Sequence, residues 1–395
     1  MTTSAKSRQE LTERAAALVG LLRRNAARTE EDRQIAGENI EALAEAGLFG
    51  LTVPRRFGGH QTSVRTLVEV SAELGRGCGS TAWNTALFNI CGWLVGLYPE
   101  RAQCEVYGED PGARACSVLT PGGTSRATGD GQVITGRWPF ASGCLHAQWA
   151  LLGIPLAGAS GEPPERGLAL VPTDELTVED TWHTAGMRGT GSHTLLAEDV
   201  FVPAHRVLSV TGALRGEYPT EFTDEALYRA AFVPVLASVI VAPQPGLARG
   251  GMELVLESLA KGRPLSHTFY EQARQAPSVQ MQLAEAAQLI DTAELHLLRA
   301  ADEIDAWAAS GRHMPLRERA RVRMDSATVA RRSREALDLL LNVHGAGSFA
   351  EANPLQRMWR DQEAASRHAL TNPAISSEVY GRALLGIEEQ VSALI

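Results

Sequence analysis

The chain has 395 residues, more than one hydrophobic core usually serves, so two or three domains are expected. A composition of 44% hydrophobic and 21% charged residues excludes disorder as the main state, and a net charge of −9 offers nucleic acid no basic face. Five cysteines without a CxxC pair exclude a disulfide scaffold or a zinc cluster, and the opening MTTSAKSRQELTERAAALV has no secretory apolar segment; both point to free thiols and a cytoplasmic enzyme.

Residues 8 to 110 read as helical. ENIEALAEAGLFG ends a helix at Gly47, and the stretch 63–97 gives two apolar helices broken at the glycines of 75–79. From 114 to 210 the pattern changes to short β-type runs: ARACSVLT, QVITGRWPF, AQWALLGIPL, GLALVPT, LTVEDTW and HTLLAEDVFVP, punctuated by Gly and Pro. LAGASGEPPERG (156–167) reads as a loop. The apolar run 230–243 contains prolines and is too short to span a bilayer. Helices then resume. Leu283, Ala286, Ile290, Ala293, Leu297, Ala301, Ile304 and Trp307 form one apolar stripe. A second helix stops at Gly345, and a third starts with Asn353 as cap and Pro354 as its first residue. The expected plan is mainly α with a central β-domain: an N-terminal helical domain (1–113), a β-barrel-like middle (114–212) and a C-terminal four-helix bundle (213–395).

Several stretches carry candidate chemistry. Gly75, Gly77 and Gly79 lie between helices, so they lack the preceding strand that a dinucleotide loop requires. There is no GxSxG elbow, and the ten histidines show no metal-ligand spacing. WHTAGMRGTGSH (182–193) gathers Gly186, Gly189 and Gly191 with the donors Arg188, Thr190, Ser192 and His193. That composition suits a flat ligand rich in acceptors, and a hairpin needing positive φ angles accounts for the glycines alone. GRWPFASG (136–143) sets Trp138 and Phe140 beside Ser142. RMWRDQEAASRHAL (357–370) places Arg357, Asp361, Ala365 and His368 along neighbouring helix faces, with Arg357 and Asp361 readable as a solvated i,i+4 pair. His368 is the residue able to work as acid or base near neutral pH.

LTPGGTSRA (119–127), GRWPFASG, AGMRGTGSHTLLAEDVFVP (185–203) and NPLQRMWRDQEAASRHAL (353–370) follow one another within a helix–β–helix plan. In this the chain resembles the acyl-CoA dehydrogenase superfamily, and the last three motifs resemble its two-component flavin-dependent monooxygenase branch. Dehydrogenases of that family carry a catalytic Glu at a fixed distance after an Arg-Asp pair. Counted from Arg360-Asp361, the place falls at Ala369, so the usual base is missing. An Arg that grips a neighbour's flavin diphosphate is likewise missing near Ser266 and His267.

The resemblance implies reduced flavin (FADH2 or FMNH2) supplied by diffusion from a separate NAD(P)H:flavin reductase. It also implies O2 activation as a C4a-hydroperoxide, a small aromatic or polycyclic substrate, and a homotetramer. Its implied flavin residues are Trp138, Phe140, Ser142, Arg188, Thr190, Ser192, Arg360 and the Gly345, Ala346, Gly347 loop. Trp138 and Phe140 would form the apolar wall, Ser142 or Ser192 would meet flavin N5, and His368 would move a proton. Trp83, Asn84, Cys91 and Phe232 are set against the substrate. Phenol-hydroxylating relatives place a His where Cys91 stands; a buried thiol is the plainer reading there, with Asn84 or Asn89 as the polar contact. N-oxygenation of an amine, a true acyl-CoA dehydrogenase and a silent flavin-binding scaffold are the rival readings.

Overall fold

The computed structural model describes residues 7–156, 165–387 and 389–395, so most of the 156–167 loop lies outside the described residues. The N-terminal part is helical: α1 (Arg8–Glu31), α2 (Gly37–Glu45), α3 (Val64–Gly75), α4 (Gly79–Val95) and α5 (Glu100–Tyr107). The hydroxyl of Ser7 caps α1 by accepting from the Glu10 amide. Leu11, Ala15, Val19, Leu22 and Ala26 then form its buried stripe. α4 is apolar on all sides because it is buried nearly throughout, packed against α3, the later helix Phe232–Val241 and the first strand.

Among the described residues, eight strands make two four-stranded sheets. One has the order β1 (Ala115–Val118), β4 (Trp149–Leu156), β5 (Glu165–Pro172), β8 (Val207–Ser209); the other has β2 (Gly123–Thr128), β3 (Gly131–Ala141), β7 (His193–Pro203), β6 (Thr177–Glu179). β1 runs parallel to β4 and the other pairings are antiparallel. β2 and β8 were not among the apolar runs of the sequence. β2, GTSRAT, has no buried residue, so no hydrophobic alternation marks it.

One irregularity positions the site. The β3–β7 register slips between Trp138 and Ala141, and Phe140 takes a left-handed φ of 68°. This bulge turns Phe140 outward while Trp138 and Ala141 remain in the core.

The remaining helices are α6 (Val210–Leu214), α7 (Phe232–Val241), α8 (Pro243–Ala260), α9 (Pro277–Ser310), α10 (Leu316–His344), α11 (Pro354–Ala365) and α12 (Pro373–Leu384). α9 and α10 pack along each other, and α8, α7, α11 and α12 lie against α10. α3 and α8 approach with their backbones nearly touching: a Cβ on Gly246 would lie 1.6 Å from the Ala72 carbonyl oxygen. Together α7 and α8 make one 29-residue stretch, Phe232–Ala260, apolar and long enough to cross a membrane, so the run at 230–243 is longer than it read in sequence. Its most apolar window is 94% buried inside the protein.

Candidate active site

Three segments far apart in sequence meet at one place: the start of α4, the turn after β3 with the loop before β7, and the chain just after α11. Their contact is a line of hydroxyls. Trp83 Nε1 donates to Ser142 Oγ at 3.3 Å. Ser142 Oγ lies 2.7 Å from Ser192 Oγ, which lies 2.6 Å from Thr190 Oγ1. Thr190 Oγ1 donates to the Met187 carbonyl at 2.8 Å. Exposure falls along the line, from 9% at Ser142 to 3% at Ser192 and 1% at Thr190, so Ser142 is the outermost hydroxyl. Asn84, one residue on in α4, donates to the Thr190 carbonyl at 3.0 Å, and its Oδ1 is buried without a partner.

The inner end of the line is anchored by charge. Met187 holds a left-handed φ of 54°, and its amide donates to Asp361 Oδ1 of α11 at 2.6 Å. Its carbonyl also accepts from Trp182 Nε1 at 2.9 Å. Asp361 is buried, and burial raises its carboxyl to about 6. The solvated Arg357–Asp361 pair read from the sequence is therefore corrected: Asp361 faces inward and ties α11 to the loop.

Two features frame the outer end. Phe140 is 67% exposed and meets the Trp182 ring edge-on at 5.8 Å, an apolar aromatic corner beside Ser142. On the other side the His368 ring lies 6.1 Å from the Trp83 ring. His368 does not continue α11, as its helical spacing suggested. The helix stops at Ala365, and His368 caps the short helix Ala369–Thr371 by accepting the Leu370 amide on Nδ1 at 3.3 Å. Loss of water pushes its imidazolium down to about 4. His368 is therefore neutral at pH 7, with its proton on Nε2. It offers an N–H donor, not an imidazolium acid or a free base.

This set of groups fits a flavin ring: an aromatic face at Phe140 and Trp182, a hydroxyl at the ring edge, and an N–H donor opposite. Comparison with known proteins decides the family. Residues 7–109 match the acyl-CoA dehydrogenase N-terminal domain and residues 238–373 match its C-terminal domain. The chain belongs to the acyl-CoA dehydrogenase family. Its relatives place it in the flavin-dependent monooxygenase branch, as an oxygenase component. It is 33% identical over 368 residues to the oxygenase subunit HsaA of Mycobacterium tuberculosis, covering 93% of each chain. It is also 33% identical to the FADH2-dependent resorcinol hydroxylase oxygenase of a Rhizobium species, covering 97% of this chain and 96% of that one. Its fold superposes on XiaF from a Streptomyces species, solved with FADH2 and glycerol, with TM-score 0.90, 36% identity and 98% coverage of both chains.

Within this family member, several sequence expectations land elsewhere. Trp138 has no exposed surface; its indole is sealed between the sheets and donates to the Gly153 carbonyl at 2.7 Å, so it forms no wall. Cys91 is sealed in the core, where burial pushes the thiol up to about 12, and it reaches no substrate. Phe232 is core, packed on Trp93 at 6.0 Å. Asn89 is consumed internally, accepting from Leu51 and donating to the Leu48 and Thr85 carbonyls.

Arg188 and Arg360 are likewise engaged within the chain. Arg188 donates to the Glu30 and Thr184 carbonyls, and Arg360 pairs with Glu30 and donates to the Ala185 carbonyl. The loop glycines serve packing more than ligand access. A Cβ on Gly186 would lie 2.0 Å from the Arg360 carbonyl oxygen, and one on Gly189 would lie 2.3 Å from Thr29. Only Gly191 of the three has a positive φ. Gly345, Ala346 and Gly347 are exposed beyond the end of α10, packed on α10 and α11 rather than on the hydroxyl line.

Two residues escaped sequence reading. Trp182, which closes the β-type run LTVEDTW and opens the 182–193 loop in the sequence, lies past the end of β6 and was not set against the flavin. Arg263 donates to the Val343 carbonyl at 2.8 Å and so brings a positive charge to the Gly345 turn.

Proposed function

We propose that this oxygenase hydroxylates a small aromatic or polycyclic compound, using O2 and FADH2 that diffuses from a separate NAD(P)H:flavin reductase. The single observation that carries the reading is the hydroxyl line opening at Ser142 between an exposed aromatic face and a neutral N–H donor. Bound reduced flavin supplies the oxygen-activating chemistry.

The chain's own residues do the rest. Phe140 and Trp182 cover the ring face and exclude water from it. Ser142 meets the ring edge. His368, tilted against the Trp83 ring, would offer its Nε2–H as a fixed donor to developing negative charge. Trp83, joined to Ser142 on one side and stacked near His368 on the other, walls the substrate side, with Leu87 half-exposed one helical turn further on. Ala369 leaves no carboxylate at the dehydrogenase base position, and among the described residues none is hydrogen-bonded to Trp83, Ser142, Ser192 or His368. That supports oxygenation over α-proton removal. Cys91 takes no part in activating a substrate hydroxyl.

The proposed enzyme is a cytoplasmic homotetramer. The exposed Gly345–Gly347 turn beside Phe349, and exposed Phe269 and Met281, supply apolar surface for a neighbouring copy.

The test is to incubate the chain with a flavin reductase, NAD(P)H and FAD under 18O2, offering phenols, indoles and fused-ring aromatics. A product that gains a single 18O atom is expected. Labelled product from no member of the panel, with flavin reoxidation unaffected by the chain, would overturn the reading.

A further inference from the structure

The hydroxyl line has a forced direction. Trp83 Nε1–H can only donate, and the Met187 carbonyl can only accept. Between them stand three hydroxyls with one proton each and three contacts to fill: Ser142 to Ser192, Ser192 to Thr190, and Thr190 to Met187. Thr190 must spend its proton on the carbonyl. Ser192 must then spend its proton on Thr190, and Ser142 its proton on Ser192. No other assignment fills every contact. Ser142 Oγ has therefore committed its proton inward and one lone pair to Trp83. What remains for a ligand is the second lone pair.

Reduced flavin carries a proton on N5, whereas N5 of oxidised flavin carries a lone pair. An acceptor at that edge attracts the first and repels the second. Resting on the reading that Ser142 meets the flavin ring edge, we infer that Ser192 and Thr190 are positioning residues that fix Ser142 as an acceptor and so select reduced over oxidised flavin. Neither residue needs to touch the cofactor. Asp361 anchors the far end, because it accepts the amide of Met187, the residue whose carbonyl ends the line.

The test is anaerobic binding of photoreduced and of oxidised FAD to the full chain, the ratio of the two dissociation constants being the readout. The unaltered protein is expected to bind the reduced form more tightly. Ser192→Ala and Thr190→Val each free a proton to rotate outward at Ser142. Each is expected to shrink the ratio by about tenfold, a fall of about 30 mV in the two-electron potential of the bound flavin. Thr190→Ser keeps the line and should keep the ratio. A merely structural role would weaken both forms alike. If both forms bind and the ratio is unaltered in Ser192→Ala and Thr190→Val, the inference is overturned while the flavin reading stands. If neither form binds the unaltered protein, both fall together.

Discussion

At the scale of the residue, the two titratable groups of the site work against each other as pH changes. His368 is held below its ordinary range, at about 4, so the unfolded chain binds more protons than the folded one between about 4 and 6.5. Its contribution to stability is present at neutral pH and is lost as pH falls through that window. Asp361 is held high, at about 6, and its effect has the opposite sign: stabilising when protonated at low pH, and lost as pH rises through 6. Urea unfolding between pH 4 and 7 should therefore respond in opposite directions to His368→Asn and Asp361→Asn. His368→Asn should raise relative stability near pH 5, and Asp361→Asn should raise it near pH 7. Asp361→Ala, which abandons the Met187 amide, should cost about 1.5–3 kcal/mol, more than the Asn variant that still accepts it. In turnover, a neutral donor at His368 predicts a rate without a histidine-like pKa between pH 5.5 and 8. His368→Ala should slow oxygenation by roughly 10- to 100-fold. A bell-shaped profile centred near 6.5 would contradict the donor role.

At the scale of the element, the β3 bulge decides which aromatic serves the cofactor. In a regular strand residues two apart share a face, so the sequence sets Trp138 and Phe140 side by side as one wall. The register slip separates them, one into the core and one into solvent. The one hint in GRWPFASG is Pro139, which cannot donate to the ladder; which aromatic turns outward depends on the pairing with β7 and not on local propensity. The contrast is measurable. Trp138→Ala should cost about 3–5 kcal/mol in stability, whereas Phe140→Ala should leave stability within about 0.5 kcal/mol and weaken flavin binding. Packing between elements is equally demanding. Gly143 has a φ of 77°, and a Cβ there would lie 2.6 Å from the Phe88 ring of α4. Gly143→Ala should destabilise by about 2–4 kcal/mol and loosen the joint between α4 and the Ser142 turn, visible as a lower thermal midpoint.

At the scale of the whole molecule, the order helices, strands, helices was legible because long amphipathic stripes and short apolar runs have different periods. The stripe from Leu283 to Trp307 lies on α9, and Gly345 ends α10. The site was legible in part. Ser142, Ser192, Trp83 and His368 converge although 285 residues separate Trp83 from His368 in the numbering of the chain, and motif content alone marked them. Asp361 as anchor, Trp182 as half of the aromatic face, and the engagement of Arg188 and Arg360 with backbone carbonyls were not legible. Each depends on which segments the fold brings together. The same convergence explains why one loop, 182–193, carries so much: it binds α1, α4 and α11 at once.

The central claim is that this convergence handles reduced flavin and O2. Its most direct test is to premix the chain anaerobically with photoreduced FAD, mix with aerated buffer in a stopped-flow spectrometer, and follow the whole flavin spectrum. A transient species distinct from both reduced and oxidised flavin, shorter-lived in Ser142→Ala, is the expected result. Direct conversion of reduced to oxidised flavin at the rate of the free cofactor, at saturating protein and with FMN as well as FAD, would contradict the account.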